Sequence, residues 1–461
     1  MSTHTRLPVE LLFRSFDFLS SREILVAMHV CNLWRGVGRT HHTFARDVQL
    51  DGASYGAIQL FRLQLSCRPT RNLRLRILLR DAKSTTARHA IAADVLPLLV
   101  QELCRTEQLV LALPAAAHKA AVAALESSPA PQLAILDVLF MDVPNFTALG
   151  TLPTRLFAGT APRLQALGLE GLAASHPWPV ACHSLVTLII STGDVFALDL
   201  LAELPFLADL TVMGGHSYGV PYLPTIAICR LFLRLKTLRL SFSAGIPVHI
   251  FRWKHMERIP HIGITDVHDE AIDGLLSHIQ SSSDLEINVN LRTGDFYPDF
   301  YCEWQYISRS SGLTRSIDVE FDSYRGLIGG DVVPFPGLHN GAIRHSLTRL
   351  SIVAMAWLRL GARFDSPLPN CVGLVLHMTP GIPLAALGEA PLTCPAMEKV
   401  EIHSVSESPA IREDFTGIAM FLTTALRGVK KRLALVLKGL VMDGDSGVLS
   451  QIADAVICPG I

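Results

Sequence analysis

The string with the most chemistry in it is Gly215-His216-Ser217-Tyr218-Gly219, which follows the apolar run LTVMG at 210–214. A G-x-S-x-G string after a strand is the pattern of a nucleophile elbow, where a strained turn lifts a serine hydroxyl toward an acyl substrate. Such an elbow needs a helix directly behind the serine, and Pro221 and Pro224 oppose one. No HGGG-type oxyanion segment precedes it, and none of the downstream histidines His345, His377 and His403 is singled out as a base. An α/β-hydrolase-like enzyme using Ser217 is therefore kept as an alternative only.

Weaker strings fail on single positions. Gly444-Asp445-Ser446-Gly447 is part of a serine-protease loop without the following glycine or a TAAHC-like histidine segment. Asp443, Asp445 and Gly447, with Asp454 at the twelfth position, imitate a calcium loop, but Val448 takes the place where the sharp turn needs glycine. His255, His261 and His268, with Asp266, fall on no common face. The nine cysteines form no CxxC pair, which reads as reduced thiols rather than a zinc knuckle or a disulfide framework. We expect no catalytic residue, no metal site and no cofactor.

The elements that would position any site are set by bulk patterning. A chain of 461 residues exceeds one ordinary core, so a small module plus an elongated body is expected. The formal net charge of −1 offers no whole-chain attraction for nucleic acid or an anionic membrane. Mean hydropathy is high at +0.35, yet the apolar residues are dispersed and no run approaches the roughly 18 that a membrane span requires. The N-terminus MSTHTRLPVE has no apolar core of a secretory signal, which points to cytoplasm or nucleus.

Residues 1–50 read as a helical module. Leu7-Pro8 opens it, and proline suits a first helical turn because its missing N–H has no partner there. Leu11, Leu12, Phe16 and Leu19 recur at helical spacing. Ser20 or Ser21 can cap a second helix, with Glu23 in its first turn. Ile24, Leu25 and Met28 continue the apolar stripe, with Val30, Cys31 and Trp34 extending it or opening a third helix. So small a unit cannot hide all these faces, so a partner should cover the remainder.

The ordered set Leu7, Pro8, Glu10, Leu11, Leu12, Phe16, Leu19, Glu23, Ile24, Leu25, Val30, Cys31, Trp34 and Arg35 resembles the F-box family. Ser15 stands where an aliphatic residue is usual, Asn32 replaces a common basic residue, and the closing Leu-Trp is represented at best by Phe44-Ala45. The resemblance implies a Skp adaptor as partner, and through it a cullin–RING scaffold. Leu7, Pro8, Leu11, Leu12, Phe16, Leu19, Val30 and Trp34 would form the adaptor-binding surface.

Beyond residues 51–70, read as a linker or first capping segment, the pattern apolar-x-x-apolar-x-apolar recurs through 71–461. Leu164-Leu167-Leu169, Leu185-Leu188-Ile190, Leu207-Leu210-Val212, Leu235-Leu238-Leu240 and Leu347-Leu350-Ile352 are the clearest cases. Intervals run from 21 residues (Leu167 to Leu188) to 36 (Leu73 to Leu109). Alternation puts the aliphatic residues on one strand face, and helix-compatible stretches such as 195–204 and 269–280 lie between. Each strand-plus-helix unit buries its face only by stacking on neighbours. The expected class is α/β: the helical module, then an irregular leucine-rich-repeat solenoid of parallel strands with outer helices. An ordinary α/β domain with a parallel sheet shares the alternation. The resemblance to leucine-rich-repeat F-box proteins, including irregular fungal-type ones, favours the solenoid.

Two segments interrupt the repeat. Residues 62–83 hold Arg62, Arg68, Arg71, Arg74, Arg76, Arg80 and Lys83 opposed by Asp81 alone, which fits a solvated strand edge or a phosphate-binding site. Phe296, Tyr297, Phe300, Tyr301, Trp304 and Tyr306 fit an inserted packed loop or an aromatic contact patch. On the outward strand face, Glu170, Asp209, Thr211, Arg239, Ser241, Arg349, Ser351, Glu401 and His403 are the expected target-binding residues. The resemblance makes the protein a non-enzymatic substrate receptor of a Skp–cullin–F-box ubiquitin ligase. A repeat scaffold without a ubiquitination role is the other alternative. The target protein is not readable, because a repeat fold does not name its ligand.

If the Ser217 string is a turn and nothing more, the purified chain will not label with a fluorophosphonate probe. Labelling that vanishes in Ser217→Ala would promote the hydrolase.

Overall fold

The computed structural model describes residues 8–67, 72–79, 84–141, 148–191, 197–214, 224–242, 246–265, 269–293, 300–321, 337–360, 366–389, 391–404 and 411–458. Leu7, the Ser217 string, Arg68, Arg71, Arg80, Lys83, Phe296, Tyr297, Asp266 and His268 lie outside them. The chain divides into two compact units, 1–235 and 236–461. Both mix helices with mostly parallel strands, which is the broad class expected from the alternation.

The first unit opens with helices α1 (Val9–Phe16), α2 (Ser21–Ala27), α3 (Asn32–Thr40) and α4 (His42–Ala45). Pro8 caps α1, and its carbonyl accepts from the Leu12 amide at 3.1 Å. Ser20 caps α2 through a reciprocal box: its hydroxyl accepts from the Glu23 amide, and the Glu23 carboxylate accepts from the Ser20 amide at 2.7 Å. That backbone bond, reinforced by the Ser20 hydroxyl, holds the Glu23 carboxyl below its ordinary range. Leu12, Phe16, Ile24, Ala27, Met28, Val37 and Phe44 close one small core. Gly38 makes this core possible, because a Cβ there would sit 2.4 Å from Met28 Cγ.

Strand β1 (Asp47–Asp51) and helix α5 (Tyr55–Ser66) follow, and Leu60, Leu63 and Cys67 pack on the module core. The segment read as a linker or capping piece thus carries a helix. Strands β2 (Leu73–Leu78), β3 (Thr106–Pro114), β4 (Ile135–Met141), β5 (Ala166–Glu170), β6 (Thr187–Ser191) and β7 (Asp209–Gly214) come next. From β1 to β6 each strand pairs in parallel with the next in sequence. Parallel neighbours need crossover connections. These carry α6 (Thr85–Ala90), α7 (Leu96–Glu102), α8 (His118–Ser127) and α9 (Ala197–Leu201), with α10 (Ile226–Phe232) after β7. The crossovers on either side of β5 hold the short 3-10 turns Leu156–Gly159 and Val180–Cys182.

The second unit begins with β8 (Thr237–Phe242), β9 (His261–Thr265) and α11 (Asp269–Leu276). Strands β10 (Leu285–Thr293), β11 (Phe300–Ser308) and β12 (Leu313–Phe321) depart from the expected parallel run, because they pair antiparallel in sequence. The four residues between β11 and β12 are too few for a crossover, so the chain must reverse. The trio still joins parallel neighbours on both sides, with β12 beside β9 and β10 beside β13. Trp304 and Tyr306 are fully buried within it, so these two belong to the core and not to an exposed contact patch.

The remainder holds α12 (Gly341–Ser346), β13 (Leu347–Val353), α13 (Ala354–Leu360), β14 (Gly373–Met378), β15 (Leu392–Thr393), β16 (Lys399–Ser404), β17 (Ile411–Asp414), α14 (Phe415–Ala425), β18 (Leu426–Arg427), β19 (Leu433–Lys438), β20 (Leu440–Asp443) and β21 (Ala453–Ile457). Strands β13, β14, β16, β19 and β21 pair in parallel in that order. Leu350, Leu374, Val400 and Leu435 align across this register and are buried. Helices α13 and α14 meet through two aromatic rings. Trp357 stands edge-on to Phe421 at 5.7 Å and donates its indole N–H to the Leu387 carbonyl at 3.1 Å. Trp357→Ala should therefore cost about 3–5 kcal/mol, as a large buried aromatic and its hydrogen bond are lost. Denaturant unfolding followed by far-ultraviolet circular dichroism measures it.

Candidate functional site

Two surfaces carry the residues expected to do work: the outer side of the helical module and the outward face of the strands. On the module, Pro8, Leu11 and Val30 are exposed, with Val30 at 64%. Leu19 and Trp34 are partly buried against the module core, and Trp34 stands edge-on to Phe16 at 5.8 Å. Leu12 and Phe16 are 1% exposed, so they hold the helices together and offer no free area. The structure adds exposed apolar residues that the helical stripe passed over: Val9, Phe18, Val26 and Leu33. Their signal was available as apolar residues off the core stripe, which a self-contained helical unit has no reason to carry.

The strand faces sort as the alternation requires. In the first unit, Leu75, Leu111, Val138, Leu169, Ile190 and Val212 are buried. The alternate positions Gln49, Arg76, Val110, Asp137, Gly168, Ile189 and Thr211 align in one row across β1 to β7. Asp209 and Glu170 are half-buried and outward beside this row. Gly168 is needed there, since a Cβ would lie 2.4 Å from Asp137 Oδ1. Burial raises the Asp137 carboxyl against the opposing charge of Arg76. Burial and then the Asp137 charge raise the Glu170 carboxyl. Arg76 is therefore the electrostatic counterweight of Asp137, and Arg62 and Arg74 face Asp94 at 2.6 Å and Asp47 at 3.9 Å. These three arginines of the basic segment are engaged within the fold.

In the second unit, Arg239 is exposed and Ser241 half-buried on β8. The other four expected residues converge. Glu401, 6% exposed at its side chain, accepts from Arg349 at 3.3 Å, Lys399 at 3.0 Å, His403 at 3.1 Å and Lys438 at 3.2 Å. Glu286 lies 3.9 Å from Arg349 and accepts from Arg309 at 2.9 Å. Ser351 shares a 3.0 Å hydrogen bond with His377, which stands edge-on to His403 at 5.4 Å. Burial, then the His403 charge, lowers His377 against the pull of Glu401. One inward-leaning carboxylate thus gathers cations from β13, β16 and β19 into a single cluster. Lys399, Lys438 and the nearby Arg309 keep about half or more of their side chains in solvent.

Residues 5–43 match the F-box domain, and their described part, 8–43, lies in the helical module above. No curated protein matches the chain. Among the described residues, no helix is long and apolar enough to cross a membrane.

Burial works to raise the Glu401 carboxyl, but hydrogen bonds from Lys399, Lys438 and His403, with the Lys399 charge, outweigh it and hold it down to about 2. A carboxyl depressed in the fold adds stability that is present above its unfolded value and is lost as the pH falls toward the folded one. The stability difference between wild type and Glu401→Gln should therefore shrink by about 1–2 kcal/mol between pH 5 and pH 2. Urea titrations of both proteins across that range measure it.

Proposed function

We propose that this protein is the substrate-recognition subunit of a Skp–cullin–F-box ubiquitin ligase. The observation that carries the reading is the F-box domain at residues 5–43. An F-box implies a Skp adaptor, and through it a cullin–RING scaffold. The exposed apolar residues of the module fit such a partner: Pro8, Leu11 and Val30, joined by Val9, Val26 and Leu33, present area that water penalises and an apolar surface would cover. Leu12 and Phe16 support that surface from the module core, and Leu19 and Trp34 border it.

In this reading the body holds the target. Its parallel strands with intervening helices and turns are consistent with an irregular leucine-rich-repeat solenoid. The outward row of each unit would supply the contact: Glu170, Asp209 and Thr211 in the first, and Arg239, Ser241, Arg349, Ser351, Glu401 and His403 in the second. Glu401 is buried, so its part is to hold Arg349, Lys399 and Lys438 in place, and those cations would make the contact. The protein contributes proximity and no bond-making group of its own, since positioning a lysine near an activated ubiquitin is enough to raise the rate of transfer. Work of this kind belongs to the cytoplasm or nucleus.

Leu11→Asp combined with Val30→Asp tests the reading, because both residues are exposed and their replacement leaves the module core intact. The double variant should keep the wild-type circular dichroism spectrum and lose at least roughly tenfold in adaptor affinity, as charge is desolvated in an apolar contact. A wild-type chain that does not bind purified Skp adaptor overturns the proposal.

A further inference from the structure

The F-box module carries a group of side chains that the docking surface does not use. Asp17, the residue that ends α1, points its Oδ1 at His41 Nε2 at 3.1 Å and at His42 Nε2 at 3.8 Å. His41 both ends α3 and caps α4, and His42 is the first residue of α4. The two imidazole rings lie 4.4 Å apart between centroids. One donor atom from each of the three residues lies within 4.8 Å of the other two. His41 is completely buried, while Asp17 and His42 are 44% and 46% exposed at their side chains.

We propose that Asp17, His41 and His42 bind a divalent transition-metal ion of the zinc type. Two imidazoles and a carboxylate are a donor set that such ions favour, and three protein ligands leave a position for water. Bonds of roughly 2.0–2.2 Å at tetrahedral angles require donors roughly 3.4 Å apart. The 3.1 Å and 3.8 Å separations bracket that spacing. The adjustment still needed falls on Asp17 and His42, whose side chains are nearly half exposed. His41 is the fixed member: its ring is packed at 4.5 Å from the Phe13 ring and 5.9 Å from the Phe16 ring.

A metal ligand must be the neutral imidazole. Without an ion, His41 Nε2 donates to Asp17 Oδ1 at 3.1 Å, and binding would replace that shared proton with the metal. Binding would tie the end of α1 to the junction of α3 and α4 across 24 residues of chain. It would therefore stabilise the module by mass action, because the unfolded chain does not hold the three donors together. This inference is independent of the adaptor reading, since it concerns the ion alone.

The test adds zinc chloride to the purified, metal-stripped full-length chain, and to His42→Ala and Asp17→Asn. Both substitutions are at exposed positions, and Asp17→Asn keeps an oxygen beside His41. Equilibrium dialysis counts bound zinc, and thermal unfolding reads its effect. Wild type should bind one equivalent more than either variant and gain about 3–6 °C at saturating zinc, a gain that each variant loses. Cobalt added in place of zinc should give visible absorption bands of a tetrahedral site in wild type only. Equal zinc uptake by all three proteins, or no uptake by wild type, overturns the proposal.

Discussion

The parallel pairing of short strands is the constraint on which the body of this protein rests. A strand that alternates aliphatic and polar residues has one face that water rejects, and a strand of roughly five or six residues hides too little alone. Lateral pairing in register aligns each aliphatic position with the next, as Ile77, Leu111 and Val138 do in the first unit and Leu350, Leu374 and Val400 in the second. The same register aligns the outward positions, so whatever those residues are, they become rows. A charged residue at such a position meets neighbours from strands far away in sequence.

The Glu401 cluster shows what this does to electrostatics. Glu401 would be an unfavourable resident of a half-covered face by itself. Its own strand supplies Lys399 and His403, β13 supplies Arg349 and β19 supplies Lys438, and the carboxylate becomes the anchor of a cationic patch. The first unit gives the opposite case. Asp137 and Glu170 lie close enough to feel one another, Arg76 offsets Asp137 alone, and both carboxyls are pushed up. The two faces therefore differ in character although both come from one alternation rule.

The F-box module rests on a different balance. Its four helices close around seven buried side chains, with Gly38 letting α3 approach Met28. The core is complete enough to keep Leu12 and Phe16 from solvent, and yet Val26, Val30 and Phe18 remain outside. The module thus satisfies its own core while displaying valine and phenylalanine, and Leu60 and Leu63 of α5 pack on that core.

Much of this was legible in the residues alone. The ordered positions from Leu7 to Arg35 pointed to the F-box because helix caps and apolar spacing are local signals. The strand positions were readable from period-two alternation, which does not depend on distant partners. The antiparallel trio was not, because a strand in a hairpin and a strand in a crossover share the same alternation, and only the turn after Ser308 decides. Nor did spacing separate Leu11 from Leu12 as exposed and buried, since both lie near the edge of one helical stripe and packing against α3 makes the choice. Asp17 and His41 lie 24 residues apart and match no ligand motif. Their meeting, like that of Arg349 with Glu401 across 52 residues, was decided by tertiary structure, because contacts between side chains distant in sequence follow from how elements pack and leave no local pattern to read.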